Sequence, residues 1–453
     1  MSTSPSSSEE VGGRDGGRGG DGGGELEGPS ISRSRRRFGN RVWPAPFLEA
    51  LAAQVSIDAS RSTGRLSAAP ALCSLFQVCS TWRAVSRSDL LWQNLTRRIW
   101  NREQLLLTHN TWAEEFIYWH RTANNFRLHG YAYATLQLLP ADYNNNNEGI
   151  SCTRLALSDH YLAAGLSNGS VCLFHVPNRL HVSTFHPHHR DRLGRFSSSV
   201  SGIILSDTQV VFASLDGDIH VAMINYPNPP RRAHPGEVVN DGALVDFTGC
   251  NRWWVGLYAG VPGRAFHVWN SETEELVFVG GSLTDPEAVM GWHLLTDQLT
   301  EFVGRIRVTS HEAAVGCTNL RVVVFDLRNP DIILGEEVFQ REIVVGCVDA
   351  SGQSFMVVDN RGSASVRLVG TLEEVCRFTM RGASQRDVLG CMNGGYAMLC
   401  TAGVIRVWNI ENGEYLYSLR ERIGDANALV ADERHVAACS RDTTIHLWDF
   451  GAQ

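Results

Sequence analysis

The chain has 453 residues, 43% hydrophobic, 19% charged and 9% aromatic, which is enough apolar material for one large or two moderate cores. Its 40 basic residues are all arginine, so lysine is absent, and the net charge of −8 divides into +1 over 1–42, +3 over 43–130 and −12 over 131–453. The acidic C-terminal region would repel phosphate backbones, which argues against direct nucleic-acid binding, and no apolar run nears the roughly 18 residues of a membrane span.

Residues 1–41 are Ser, Gly, acid and Arg, a composition too poor in apolar groups to offset the entropy of ordering, so a disordered tail is expected. An N-terminus of this kind does not read as a secretory signal. Gly17, Gly19 and Gly22 spell G-x-G-x-x-G with no strand before them and no helix after, so a dinucleotide reading has no support. Arg33, Arg35, Arg36 and Arg37 read either as a nuclear-import signal or as a solvated charge run.

From Trp43 the pattern turns helical. Pro44 punctuates a start, and Phe47, Leu48, Leu51 and Val55 follow at helical spacing. Residues 60–69 break the period, and a second helix then carries Leu72, Leu75, Phe76, Cys79 and Trp82 on one stripe. So short a segment cannot bury that many large apolar groups by itself, which points to a partner surface.

Three stretches, Pro44 with Phe47-Leu48, Val78-Cys79-Ser80-Thr81-Trp82-Arg83-Ala84-Val85 and Ser88-Asp89-Leu90-Leu91-Trp92, resemble an F-box. The middle departs from that family, since 58–71 is longer and more polar than its usual lead-in to the second helix. The resemblance implies docking on the Skp-type adaptor and cullin of a ubiquitin ligase. The implied contacts are Pro44, Phe47, Leu48, Leu51, Val78, Cys79, Trp82, Val85, Leu91 and Trp92. The residues alone also allow small helices packed on the rest of the chain.

Thr111-Trp112-Ala113-Glu114 spells a capping box, in which the Thr hydroxyl and Glu carboxylate satisfy each other's backbone N–H groups. Behind it Trp112, Phe116, Trp119, Ala123 and Phe126 recur at steps of 4, 3, 4 and 3, one apolar stripe on a helix. This reads as a rigid spacer, similar to linkers in F-box proteins that carry WD repeats.

Beyond 131 short alternating strands replace the helical period. Seven strand endings align, at 171–176, 219–224, 266–270, 321–327, 365–369, 405–410 and 445–450. Their equivalent positions, Phe174, Ala222, Trp269, Phe325, Leu368, Trp408 and Trp448, are separated by 48, 47, 56, 43, 40 and 40 residues. That period is the mark of a β-propeller, and the final unit, ending Ile445-His446-Leu447-Trp448-Asp449, resembles a WD repeat. The expected fold is therefore α+β and multidomain: tail 1–41, F-box 43–100, helical linker 101–130, and an all-β seven-bladed WD-repeat-like propeller over 131–453. The spacing admits six or eight blades as well. The chain ends on the third strand of its last unit, so 131–139 is expected to supply the closing strand.

No P-loop, H-E-x-x-H, G-x-S-x-G or zinc-spaced Cys/His set occurs, so no catalytic residues, metal or cofactor are expected and the chain does not read as an enzyme. Eleven scattered cysteines, an odd count without C-x-x-C, read as small buried hydrophobes in a reducing compartment. Two loops concentrate the residue types of interaction hot spots: His186, His188, His189, Arg190, Arg192 and Arg195, and the long third unit with Trp253, Arg264 and Trp292. Arg190, Arg192, Arg195, Trp253, Arg264 and Trp292 are the candidate substrate contacts.

The runs Asn240-Asp241-Gly242-Ala243-Leu244-Val245-Asp246-Phe247 and Leu283-Thr284-Asp285-Pro286-Glu287-Ala288-Val289-Met290-Gly291-Trp292-His293 are similar to a family of plant F-box regulators. That resemblance implies a nuclear F-box subunit in flower and organ development whose substrates are transcriptional repressor or co-repressor proteins. A co-regulator that scaffolds DNA-binding proteins without ubiquitination fits the same layout. The missing lysines read either as codon bias or as a receptor stripped of its own ubiquitin acceptors, since Arg keeps the charge without that role.

Overall fold

The computed structural model describes residues 43–106, 108–138, 149–187, 195–226, 228–282, 304–318, 321–339, 345–359, 361–380 and 388–452. The tail and its two motifs lie outside them. Trp43 and Pro44 group with the N-terminal segment, and everything from Ala45 onward forms one unit that is mostly β-sheet with a few short helices.

Five helices of six residues or more come first: α1 (Ala45–Thr63), α2 (Ala68–Phe76), α3 (Ser80–Val85), α4 (Asp89–Trp100) and α5 (Trp112–Leu128). α1 runs through the expected break at 60 because Ser60 and Thr63 donate their hydroxyls to the carbonyls of Ile57 and Ala59, at 2.7 and 3.0 Å, and keep the last turn closed. It stops at Gly64, whose φ of 94° suits only glycine, and where a Cβ would lie 2.0 Å from the Glu411 carboxylate. The expected second helix is two: α2 tightens and ends at Gln77, Cys79 is extended, and α3 restarts behind it. Leu48, Ile57, Leu72, Leu91, Leu95 and Phe116 pack as one apolar core for this segment.

The capping box forms as expected, with Thr111 Oγ1 accepting from Glu114 N at 3.2 Å and Glu114 accepting from Thr111 N at 3.3 Å. Thr111→Ala should cost about 1 kcal/mol, read as a lowered denaturant midpoint; no change would mean that α5 is held by its packing alone.

The described strands form five four-stranded sheets and one of eight. The eight-stranded sheet is two antiparallel meanders joined by a single parallel pair, Phe247 with Gly202. Only glycine permits that approach, since a Cβ on Gly202 would meet the Phe247 carbonyl at 1.9 Å. Counting it as two gives seven meanders in chain order, beginning with Cys152–Leu157, Val200–Leu205, Ala243–Gly249, Arg305–Val308, Val345–Ser351, Leu389–Met392 and Ala426–Ala431. Each opening strand packs beside the next, and the seventh packs back on the first. The cores lie between neighbouring meanders, as where Phe174 of the first meets Ile445 and Leu447 of the seventh. Ala132–Gln137 pairs antiparallel with Thr444–Asp449 and completes the seventh sheet, the closure expected from 131–139.

At the centre, five of the opening strands carry an extra residue at one shared place, Thr153, Ser201, Val245, Gly346 and Asn427. Such bulges re-aim the side chains that follow. Behind three of them stand Arg154, Asp246 and Cys347, and a chain of polar contacts passes from meander to meander. Arg154 donates to the Ser201 and Val245 carbonyls at 2.8 and 3.3 Å. Asp246, buried, accepts from Ile306 N at 2.8 Å and from Arg307 Nη1 at 2.9 Å, with Arg154 Nε at 3.5 Å. Arg307 Nε reaches Asp349 at 3.0 Å, and Asp349 accepts from Met392 N at 2.8 Å.

Candidate functional site

The helical segment divides the expected adaptor contacts into two groups. Leu48, Val85 and Leu91 are core residues, and Trp82 and Trp92 lie half-buried against that core, so these five hold the segment together instead of forming a free face. The Trp92 indole is also tied down, donating to the Ser86 carbonyl at 2.7 Å. Phe47 and Leu51, one turn apart on α1, are 46% and 39% exposed, and Val78 at the α2–α3 corner is 66% exposed; Pro44 and Cys79 are exposed as well. Leu90, at the start of α4, is exposed too and belongs with them, although helical spacing alone did not mark it.

α5 fixes this segment to the sheets. Its first half faces the helices through Phe116 and Trp119, and its last turn inserts Phe126, fully buried, among sheet residues. The Phe126 ring stacks on Phe450 at 3.7 Å and on Tyr396 at 5.2 Å between centroids. Tyr396 donates to the Ala123 carbonyl at 2.7 Å, Tyr417 donates to the Phe126 carbonyl, and Asn125 donates to the Phe450 carbonyl at 2.8 Å. Burial pushes the Tyr396 phenol up to about 12, so it stays a neutral donor. Around this anchor Arg65 pairs with Glu433 at 2.7 Å and stands 5.1 Å over the Trp100 ring, and Arg102 reaches Asp159 at 2.5 Å. The helices therefore sit over the sixth, seventh and first meanders. A cleft of about 220 Å³ lies in the junction, lined by Arg65, Leu66, Pro70, Arg127 and Tyr396. It is smaller than the roughly 300 Å³ at which small-molecule sites begin.

Between α4 and α5, the described residues Leu106 and His109 are held by Glu115, which is buried and accepts from His109 Nδ1 at 2.6 Å, Leu106 N at 3.0 Å and Trp119 Nε1 at 2.6 Å. One acid inside an apolar helix stripe was the available signal for this anchor, and the apolar period hid it.

The structure does not bring Trp253 and Arg264 together. Trp253 opens the strand Trp253–Ala259, about 20 Å long at the usual rise per residue, and Arg264 follows it, so they lie at opposite ends of the sheet and on opposite faces of the ring. Trp253 is on the face that carries the helices, because its turn is equivalent to those holding Asp159 and Glu433. There its indole donates to Glu312 at 3.4 Å, beside Arg252 and Arg328 on the same carboxylate at 3.0 and 2.8 Å. Arg264 lies on the far face, half-buried and pinned to Asp241 through Nε and Nη2 at 3.0 and 2.6 Å. Arg190, Arg192 and Trp292 lie outside the described residues, as does the side chain of Arg195. Phe185 and Gly280, from which those segments continue, pair with Val171 and Phe266 and so end on the face of Arg264. Among the described residues no cluster of His, Cys, Asp and Glu is arranged to hold a metal ion.

No family model matches the chain. The transcriptional regulator STERILE APETALA of Arabidopsis thaliana is 56% identical over 457 residues, an alignment that covers 100% of both chains. Among solved structures, the computationally designed Ika8 protein matches at 16% identity with a TM-score of 0.45, over 67% of this chain and 98% of its own.

Proposed function

Because the chain belongs to the STERILE APETALA family, we propose that it is a nuclear, non-catalytic regulator of transcription and flower development that works as the F-box substrate receptor of a cullin-RING ubiquitin ligase. In this reading 43–100 is the F-box, 101–130 the linker, and the seven meanders a seven-bladed propeller. Phe47, Leu51, Val78 and Leu90 dock on a Skp-type adaptor, and the far face, with Arg264, takes transcriptional repressor or co-repressor proteins. The observation that carries it is the joint between the two parts. A helical segment with an exposed apolar rim is fastened to the sheets by the buried Phe126, a geometry suited to holding a docked adaptor at a fixed distance from a bound target.

The test is capture of purified Skp-type adaptor by the triple variant Phe47→Asp, Leu51→Asp, Val78→Asp. Binding should weaken at least about tenfold, the effect expected of losing several interface anchors, while the unfolding midpoint holds, since these side chains are exposed. Full-strength capture by the variant would remove the F-box assignment. The relative's name favours a second reading, a scaffold that acts on transcription without ubiquitination. Proteasome inhibition separates the two: bound repressors accumulate for a receptor and stay constant for a scaffold.

A further inference from the structure

The chain carries 40 basic side chains and no lysine among them. An ordinary chain of this length holds on the order of two dozen lysines. Base composition does not account for the loss. Lysine and asparagine share the codons that begin AA and differ only in the third base, so a bias strong enough to empty one would deplete the other. The chain nevertheless keeps 24 asparagines, four of them consecutive at 144–147.

Geometry accounts for only part of the arginine. At some positions the planar fork or flat face of a guanidinium is needed. Arg434 gives Nε and Nη2 to the two oxygens of Asp449 at 2.8 and 2.7 Å, Arg307 joins Asp246 to Asp349, and Arg102 lies 4.0 Å over the Trp119 ring. Elsewhere nothing asks for a fork. Arg61, Arg83, Arg98, Arg121, Arg179 and Arg422 are exposed, and their side chains make no hydrogen bond or ion pair among the described residues. Arg441 meets Asp425 through one 3.4 Å contact, with both side chains about 70% exposed. A solvated pair of that kind is worth little, and an ammonium serves there as well as a guanidinium. These positions lie on the helices, on the helix-bearing face of the ring at Arg179, and on the far face at Arg422 and Arg441, so the exclusion is general and not the demand of one site.

What lysine has and arginine lacks is an amine that can lose its proton and attack. In ubiquitin transfer the deprotonated ε-amine attacks the thioester carbonyl that joins the ubiquitin C-terminus to a cysteine of the carrier enzyme. The amide C–N bond forms, the C–S bond breaks, and the cysteine leaves as a thiol with the proton that the amine gives up. A guanidinium, protonated and delocalised up to a pH of about 12, cannot take that step. We propose that the exclusion of lysine is a shield against self-marking: the receptor carries its positive charge as arginine, so that while it stands beside a loaded carrier enzyme it offers no ε-amine to it. This rests on the substrate-receptor reading and adds a consequence to it, that the receptor outlasts the targets it presents.

The experiment is ubiquitin transfer in a ligase reconstituted from purified Skp-type adaptor, cullin, RING subunit, activating and carrier enzymes and ubiquitin. The full chain is compared with two double variants on the far face, Arg422→Lys with Arg441→Lys and Arg422→Gln with Arg441→Gln. Adaptor capture, and discharge of the loaded carrier onto free lysine, are recorded alongside. The lysine variant should carry at least about tenfold more ubiquitin than the parent, because an amine held in the same assembly as the thioester reacts as an intramolecular nucleophile. Mass spectrometry should place the mark at 422 and 441. The glutamine variant, which loses the guanidinium without gaining an amine, should stay at the parent level. If the adaptor is captured and the carrier discharges onto free lysine while the lysine variant stays unmarked, the shield is wrong and the receptor reading stands. If the adaptor is not captured, the receptor reading fails and the shield fails with it. A parent marked as heavily as the lysine variant, or a glutamine variant marked like it, would also overturn the shield, since other groups would then be the acceptors.

Discussion

Replacing Phe126 by Ala should lower the unfolding free energy by about 3–5 kcal/mol, the cost of deleting a fully buried aromatic ring. The loss should also be directional. Phe126 is the residue of α5 that stacks between Phe450 and Tyr396, while Phe116 and Trp119 keep the same helix attached to the helical core. The variant should therefore loosen the joint while each side keeps its own core. Urea denaturation followed by amide hydrogen exchange, read separately for the peptides of the helices and of the sheets, should show one transition in the parent and two separated transitions in the variant. A loss under about 1 kcal/mol with one shared transition would mean that Arg65–Glu433 and Arg102–Asp159 hold the joint without the ring.

The second large effect is expected at Asp246. Its carboxylate is buried and answers a backbone N–H of the fourth meander together with two arginines, so Asp246→Ala leaves the Ile306 N–H without its acceptor, Arg154 without its carboxylate and Arg307 with Asp349 alone. Breaking such an arrangement from one side costs about 3–5 kcal/mol. Asp246→Asn, which can still accept from Ile306 N, should lose clearly less. Equal losses for the two variants would show that the charge contributes nothing and that shape alone matters. The contrast with Arg441–Asp425, a pair with both side chains about 70% exposed, is instructive: Asp425→Asn should leave the denaturation midpoint unmoved.

The sequence spoke most clearly where one residue pattern recurs. The strand endings at 266–270, 321–327 and 445–450 coincide with Phe266–Asn270, Arg321–Asp326 and Thr444–Asp449, third strands whose middle residues are buried and therefore mostly apolar. The capping box and the stripe from Trp112 to Phe126 were equally legible, since both depend on neighbours within a few residues. Burial within the helical segment was not. Leu48 and Phe47 are adjacent and equally apolar, and only the packing of α2 and α4 decides that one is core and the other surface. Nor could spacing show that Trp253 and Arg264 part company, because a strand of seven residues carries its ends to opposite faces of the ring. The central charges left a faint trace, a single Asp inside Ala-Leu-Val-Asp-Phe and another inside Gly-Cys-Val-Asp-Ala, which gains meaning only once the ring brings them together.

The closing pair of Ala132–Gln137 with Thr444–Asp449 also governs how the protein is made. More than 300 residues separate the two strands, so the first leaves the ribosome long before its partner exists. At ordinary synthesis rates that interval is about 15–60 s, far longer than a hairpin needs to form. During it the seventh sheet has no place to assemble and the inner edges of the first and sixth meanders stay open. Birth of the chain thus contains a waiting period in which these strand edges are unpaired, and a stop codon anywhere before Thr444 would leave the closing strand without its partner.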